Sequence, residues 1–97
     1  MRITYSPRAV IDLAEIGRYL AERSPSGAAA VEKRMRTVIE LIAQFPASGR
    51  SVYARSAVSV IPLGKYPYRI FYTTSEDELI VLHIRHIARK PIDPGEF

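Results

Sequence analysis

The chain contains no cysteine. That absence excludes disulfide stapling, thiolate catalysis and zinc–thiolate sites at once. Residues 1–5 carry no apolar stretch of signal-peptide length. No apolar run approaches the roughly 20 residues that span a bilayer, so the expected address is the cytoplasm, with no membrane association. Phosphate-binding glycine loops, metal-binding signatures and nucleophile elbows are all missing. Acidic residues are also missing from long stretches. None occurs between Glu40 and Glu76, where Arg50, Arg55, Lys65 and Arg69 stand. None occurs from Leu79 to Ile92 either, a stretch that carries His83, Arg85, His86, Arg89 and Lys90.

What is present fits one small domain. Ninety-seven residues, 47% of them hydrophobic, form a modest core without a disordered majority. A fold of this size gains stability when a partner covers it. The net charge of +4 favours an acidic partner, either nucleic acid or protein. The sheet half of the chain is basic except at Glu76-Asp77-Glu78, a solubilising turn. A cationic sheet face presented to an anion explains this pattern. Lysines and arginines that guard strand edges against other chains explain it too.

The punctuation of the chain predicts β-α-α-β-β-β. Arg2-Ile3-Thr4-Tyr5 alternates polar and apolar residues and reads as a first strand. Ser6-Pro7 opens a helix: serine caps the free N–H groups and proline occupies a position that needs no donor. Ala9, Leu13, Ile16 and Leu20 form its apolar stripe, widened by Val10 and Ala14. Asp12 and Glu15 are read as favourable charges near the positive end of the helix dipole. Glu22-Arg23 ends it. Ser24-Pro25 repeats the opening signal for a helix over residues 25–45, with Val31, Met35, Val38, Ile42 and Phe45 as its buried stripe. Pro46 and Gly49 stop it. With almost no linker, the two helices must form an antiparallel hairpin.

Residues 58–63 read as a strand that Pro62 confines to an edge or to its own end. Gly64-Lys65 is a turn, residues 68–74 a second strand, and residues 79–88 a third. In the last, Ile80, Leu82 and Ile84 are expected on one face and His83 and Arg85 on the other. These strands should form an antiparallel meander beneath the helical hairpin, an α+β fold. Residues 91–97, broken by Pro91, Pro94 and Gly95, are expected to be a loose C-terminal tail of a single domain spanning residues 1–97.

One chemistry fits the residue types. RNA is cleaved without metal when a base activates the 2′-hydroxyl, a cation stabilises the phosphorane and an acid protonates the leaving oxygen. Arg69, Arg85 and Arg89 are candidate cations, His86 or His83 a candidate acid or base, with Tyr68 and Tyr72 as weaker substitutes. His83 and His86, three apart on a strand, point to opposite faces and do not share a metal. Tyr68 and Tyr72 share a face with Ile70, which equally marks them as core.

The run Tyr66-Pro67-Tyr68-Arg69-Ile70-Phe71-Tyr72 resembles the strand of RelE/ParE toxins in which a tyrosine–arginine pair precedes two apolar residues and another tyrosine. Val81-Leu82-His83-Ile84-Arg85-His86-Ile87-Ala88-Arg89 resembles the final strand of the ParE-like branch. Ser6-Pro7-Arg8-Ala9 with Asp12, Leu13 and Ile16 is similar to the family's first helix, and Phe45-Pro46 with Gly49-Arg50 to its exit from the second. The resemblance implies a helical hairpin on a small antiparallel sheet. It also implies a type II toxin–antitoxin role: RelE-like members cut messenger RNA in the ribosome and ParE-like members poison DNA gyrase. Both are neutralised by an adjacently encoded antitoxin, here ParD/RelB-like, through which alone operator DNA would be bound.

Departures from the pattern favour the gyrase branch. Arg69 and Arg89 align with arginines that act on the scissile phosphate in RelE-like nucleases. Val60 and Pro62 stand where that branch has lysines, and Gly95 and Phe97 where it has a tyrosine. The resemblance therefore implies action by binding, with Arg85, His86, Arg89 and Lys90 meeting the target, and no cofactor. An endoribonuclease using Arg69, Arg89 and His86 is the second reading. A non-toxic partner in a DNA-bound repressor complex is the third. The antitoxin is expected to lay apolar side chains across the helical hairpin and carboxylates against Arg50, Arg69 or Arg85.

Overall fold

The structure is a computed structural model, which describes residues 1–52 and 57–88. It comprises β1 (Arg2–Tyr5), α1 (Pro7–Arg23), α2 (Pro25–Gln44), a 3₁₀ turn (Pro46–Ser48), β2 (Arg50–Ser51), β3 (Ser59–Pro62), β4 (Tyr68–Thr74) and β5 (Glu78–His86). The two helix starts follow directly from the sequence. Ser6 Oγ accepts from Ala9 N at 3.1 Å, Ser24 Oγ accepts from Gly27 N at 3.1 Å, and each serine is followed by proline. Each such cap is worth about 1 kcal/mol.

The sheet runs β1-β5-β4-β3-β2. The meander β3-β4-β5 is antiparallel, as its short turns require. Two features modify the expected small antiparallel sheet. β1 joins β5 in parallel, with Arg2 opposite Glu78 and Tyr5 opposite Val81, so the sheet is mixed. A two-residue β2 extends the opposite edge against β3. The parallel pairing is compatible with the connection, since β5 is reached from β1 through the helical hairpin and three further strands rather than by a tight turn. Pro62 ends β3, where its missing N–H costs no ladder bond.

The main core lies between the helical hairpin and one sheet face. Ala9, Val31, Met35, Ile39 and Ile42 meet Leu63, Tyr68, Ile70, Tyr72, Leu79, Val81 and Ile84. The expected stripe of α1 narrows. Leu13, Ile16 and Leu20 pack against the core, but Val10 is 55% exposed and Ala14 also faces solvent. Phe45, expected as the last buried residue of α2, is 60% exposed, and Ile39 is buried in addition. Phe45 caps the helix in a non-helical conformation (φ −129°, ψ 76°), so the helical period no longer governs its direction.

Tyr72 ties the end of α2 to the sheet. Its hydroxyl donates to Pro46 O at 2.8 Å and accepts from Gly49 N at 2.8 Å. A Cβ on Gly49 would come within 2.2 Å of that hydroxyl, so residue 49 must be glycine for the close approach. Gly64, at φ 77°, makes the turn between β3 and β4.

The faces of β5 differ from simple alternation. Phe71 is opposite His83 and Tyr72 is opposite Val81, so Leu82 is an additional residue, a β-bulge. Leu79 and Val81 point into the core before it, and Ile84 after it, while Ile80 and Leu82 are only half-buried. Ile80 and Leu82 thus do not share the core face with Ile84, contrary to the period-two expectation.

Candidate functional site

The sheet face away from the helices brings together three arginines of the strands, Arg50, Arg69 and Arg85. Cross-strand partners share a face. Arg50 is opposite Val60 and Val60 opposite Phe71, while Arg69, two residues before Phe71, is opposite Arg85. Arg50, Arg69 and Arg85 therefore stand on one surface. Arg50 and Arg69 are exposed, and Arg85 is half-buried. Val60 and Phe71 form a small apolar cluster on the same face, with Val52 and Val58 packed against it. Two cations directly opposite on neighbouring strands repel one another. A carboxylate or phosphate laid across Arg69 and Arg85 would relieve that repulsion and receive charge-assisted hydrogen bonds.

His86 belongs to the other face. Its ring meets Tyr68 edge-on, with centroids 5.4 Å apart and planes at 86°. Nδ1 accepts from Ala88 N at 3.0 Å, which leaves the ring proton on Nε2. With Tyr66 and Tyr68 it lines an open cleft of about 820 Å³ against α1, whose Arg18, Tyr19 and Arg23 form the opposite wall. The Arg23 guanidinium lies 3.6 Å over the Tyr19 ring and donates to the Tyr19 carbonyl at 3.0 Å. Burial, and secondarily the neighbouring Tyr19, raise the pKa of the Tyr68 phenol.

A second cleft, about 650 Å³, runs along the helical hairpin between α1 and α2. Leu13, Ile16, Leu20, Ala28 and Met35 line it, and a Cβ added at Gly17 would meet no atom within 4 Å.

The sequence reading passed over one group. Asp12 is not a dipole-compensating surface charge. It is 4% exposed, accepts from Ile84 N at 2.9 Å, bonds His83 Nδ1 with the same Oδ2, and receives Arg8 Nε on Oδ1 at 3.2 Å. A signal for this was available: Asp12 sits inside the apolar stripe, three residues after Ala9 and four before Ile16. His83 faces Phe71, ring centroids 6.3 Å apart, on the arginine side of the sheet. At 5% exposure its imidazole is enclosed by the fold, so the Asp12–His83 pair does not offer a base to an incoming substrate in this conformation.

The structure thus groups the proposed antitoxin contacts and divides the proposed nuclease set. Arg69 and His86 occupy opposite faces of the sheet and do not converge on one point. Tyr68 and Tyr72 are core residues, and the Tyr72 hydroxyl is engaged by Pro46 and Gly49. Burial raises the Tyr72 pKa above the ordinary phenol value, against smaller lowering by its bonds to Gly49 and Ser59. Of the expected target-binding residues, Arg85 and His86 lie on opposite faces, and Arg89 and Lys90, with the tail at 91–97, lie outside the described residues.

Comparison with known proteins bears on this arrangement. A family model described as the ParE toxin of the type II toxin–antitoxin system parDE matches residues 3–91. A putative toxin, Y4kP, of Sinorhizobium fredii is 38% identical over 84 residues, covering 84% of this chain and 86% of its own. Toxin RelE2 of Caulobacter vibrioides is 30% identical over 89 residues, covering 91% and 97%. In fold, the chain is similar to a structure of the chromosomal ParDE toxin–antitoxin system from P. aeruginosa. The TM-score is 0.75 at 16% identity, covering 90% of this chain and 96% of that one.

Proposed function

The chain belongs to the ParE toxin family of type II toxin–antitoxin systems, and from that premise we propose that it arrests growth by binding DNA gyrase rather than by cutting RNA. The observation that carries this reading is the separation of Arg69 from His86. Metal-free RNA cleavage needs its cation and its acid or base at one scissile bond, within hydrogen-bond reach. Here the two point away from each other across the sheet, and the other histidine is enclosed. Inhibition by binding needs no such convergence. It needs only an exposed surface that matches the target.

We assign target binding to the end of β5 and the residues after it: Arg85, His86, Arg89 and Lys90. The toxin acts in the cytoplasm. A cognate antitoxin, encoded beside it, neutralises it. The antitoxin segment orders on binding. Its carboxylates meet Arg50, Arg69 and Arg85 on the open sheet face, and its apolar side chains fill the cleft along the helical hairpin. The match to a ParDE structure supports an antitoxin of the ParD kind.

The test is to induce the protein without its antitoxin and follow labelled thymidine and labelled methionine in the same culture. Early failure of DNA synthesis, followed by loss of supercoiling with purified gyrase, is the expected result. Early failure of protein synthesis would place the protein with the ribosome-dependent nucleases. Unimpaired growth would leave it as a non-toxic partner of a DNA-bound repressor.

A further inference from the structure

We infer that Asp12 is a positioning residue for the cationic sheet face: through the β5 bulge it determines that Arg85 stands beside Arg69. The functional weight of this inference rests on the reading of that face as the antitoxin surface.

β1 accompanies β5 only from Glu78 to Val81. Beyond that point the start of α1 takes over the edge. Ser6 N donates to Val81 O at 2.9 Å, Ser6 Oγ donates to Leu82 O at 2.7 Å, and Asp12 Oδ2 accepts from Ile84 N at 2.9 Å. These three bonds straddle Leu82, the additional residue of the bulge.

The bulge decides what each later side chain faces. Leu79 and Val81 point to the helices. Unbroken alternation would send His83 and Arg85 the same way and turn Ile84 and His86 outward. With Leu82 inserted, Ile84 enters the core and Arg85 comes opposite Arg69 on the open face. One carboxylate holds the outgoing side of this bulge. It takes the backbone N–H of Ile84 and the imidazole of His83 on one oxygen, and Arg8 on the other. Without it, a buried N–H and a buried imidazole lose their acceptor, and the strand from Leu82 onward loses the bonds that fix its phase.

Because the chain has no cysteine, a disulfide reports the register directly. Facing residues of antiparallel strands have Cα atoms about 5.5 Å apart in a hydrogen-bonded pair, within the range a disulfide spans. Arg69→Cys with Arg85→Cys reads the strand after the bulge. Thr73→Cys with Ile80→Cys, also facing, reads it before. Both pairs should cross-link on mild oxidation. Adding Asp12→Ala should lower the 69–85 yield about tenfold and leave the 73–80 yield unchanged. Asp12→Asn, which keeps an acceptor oxygen for Ile84 N, should restore most of it.

The inference is overturned if Asp12→Ala leaves the 69–85 yield at its original level, or if Asn behaves like Ala. Equal loss of both cross-links would overturn it as well, since Asp12 would then hold the whole fold rather than this register. No partner enters the measurement, so its outcome is separate from that of the antitoxin and gyrase readings.

Discussion

Asp12 and Tyr72 add polar links to the apolar packing of helices on sheet. Removing the Asp12 carboxylate leaves Ile84 N and the His83 imidazole buried without an acceptor, and each buried polar group left unsatisfied costs about 1–3 kcal/mol. Asp12→Ala should therefore lower the denaturant midpoint far more than Asp12→Asn; equal values would deny the hydrogen bonds their part. Tyr72→Phe removes two bonds from the partly buried Pro46 carbonyl and Gly49 N–H, for about 1–3 kcal/mol. Burial raises the pKa of both Tyr68 and Tyr72 above the ordinary value of 10.0. The folded state then favours the neutral phenols. Their contribution is complete below pH 10 and is lost as pH rises through the folded-state values. Stability should fall above about pH 10, and Tyr72→Phe should flatten that slope in a pH series of urea melts.

At the level of elements, α1 faces two ways. Its buried side carries Ala9 and Asp12 to β5, and its exposed side borders the cleft with α2. Gly17 lies on that exposed side, where a Cβ meets nothing. Gly17→Ala should stabilise the protein by about 0.5–1 kcal/mol, because alanine loses less backbone freedom in a helix. Gly17→Trp should leave the circular dichroism unchanged and weaken antitoxin binding, since the indole would occupy the cleft. Undiminished affinity would remove the helical hairpin from the antitoxin interface.

At the level of the whole molecule, the sheet separates two surfaces. Its open face holds Arg50, Arg69 and Arg85, and its helix side holds the cleft walled by Tyr19, Tyr68 and His86. Arg69→Glu should weaken the antitoxin complex through like-charge repulsion with the partner's carboxylates, most strongly at low salt. Unchanged affinity at low salt, measured by calorimetry, would remove Arg69 from the interface. Deleting the chain after Ala88 removes Arg89 and Lys90 but no residue of the described core. The truncated protein should fold and lose toxicity. Retained toxicity would release those two cations from the target surface.

The sequence by itself determined the element order apart from the two-residue β2, both helix caps, the turn at Gly64 and the antiparallel meander, because each depends on neighbours a few residues apart. Ser-Pro pairs, apolar spacing and glycine carry that local information without reference to the rest of the chain. It also showed cations without neighbouring acids in two stretches of the second half. Only the tertiary structure decided which of them stand together. A single additional residue at Leu82 reverses every side chain after it, and no periodicity within β5 announces that insertion. The same holds for Asp12. Its place in the apolar stripe of α1 hints at burial, but its partners, Ile84 N and His83, lie more than seventy residues later in the chain and are named only by packing. Phase and long-range pairing arise from contacts between distant segments, so the separation of Arg69 from His86 was decided by packing.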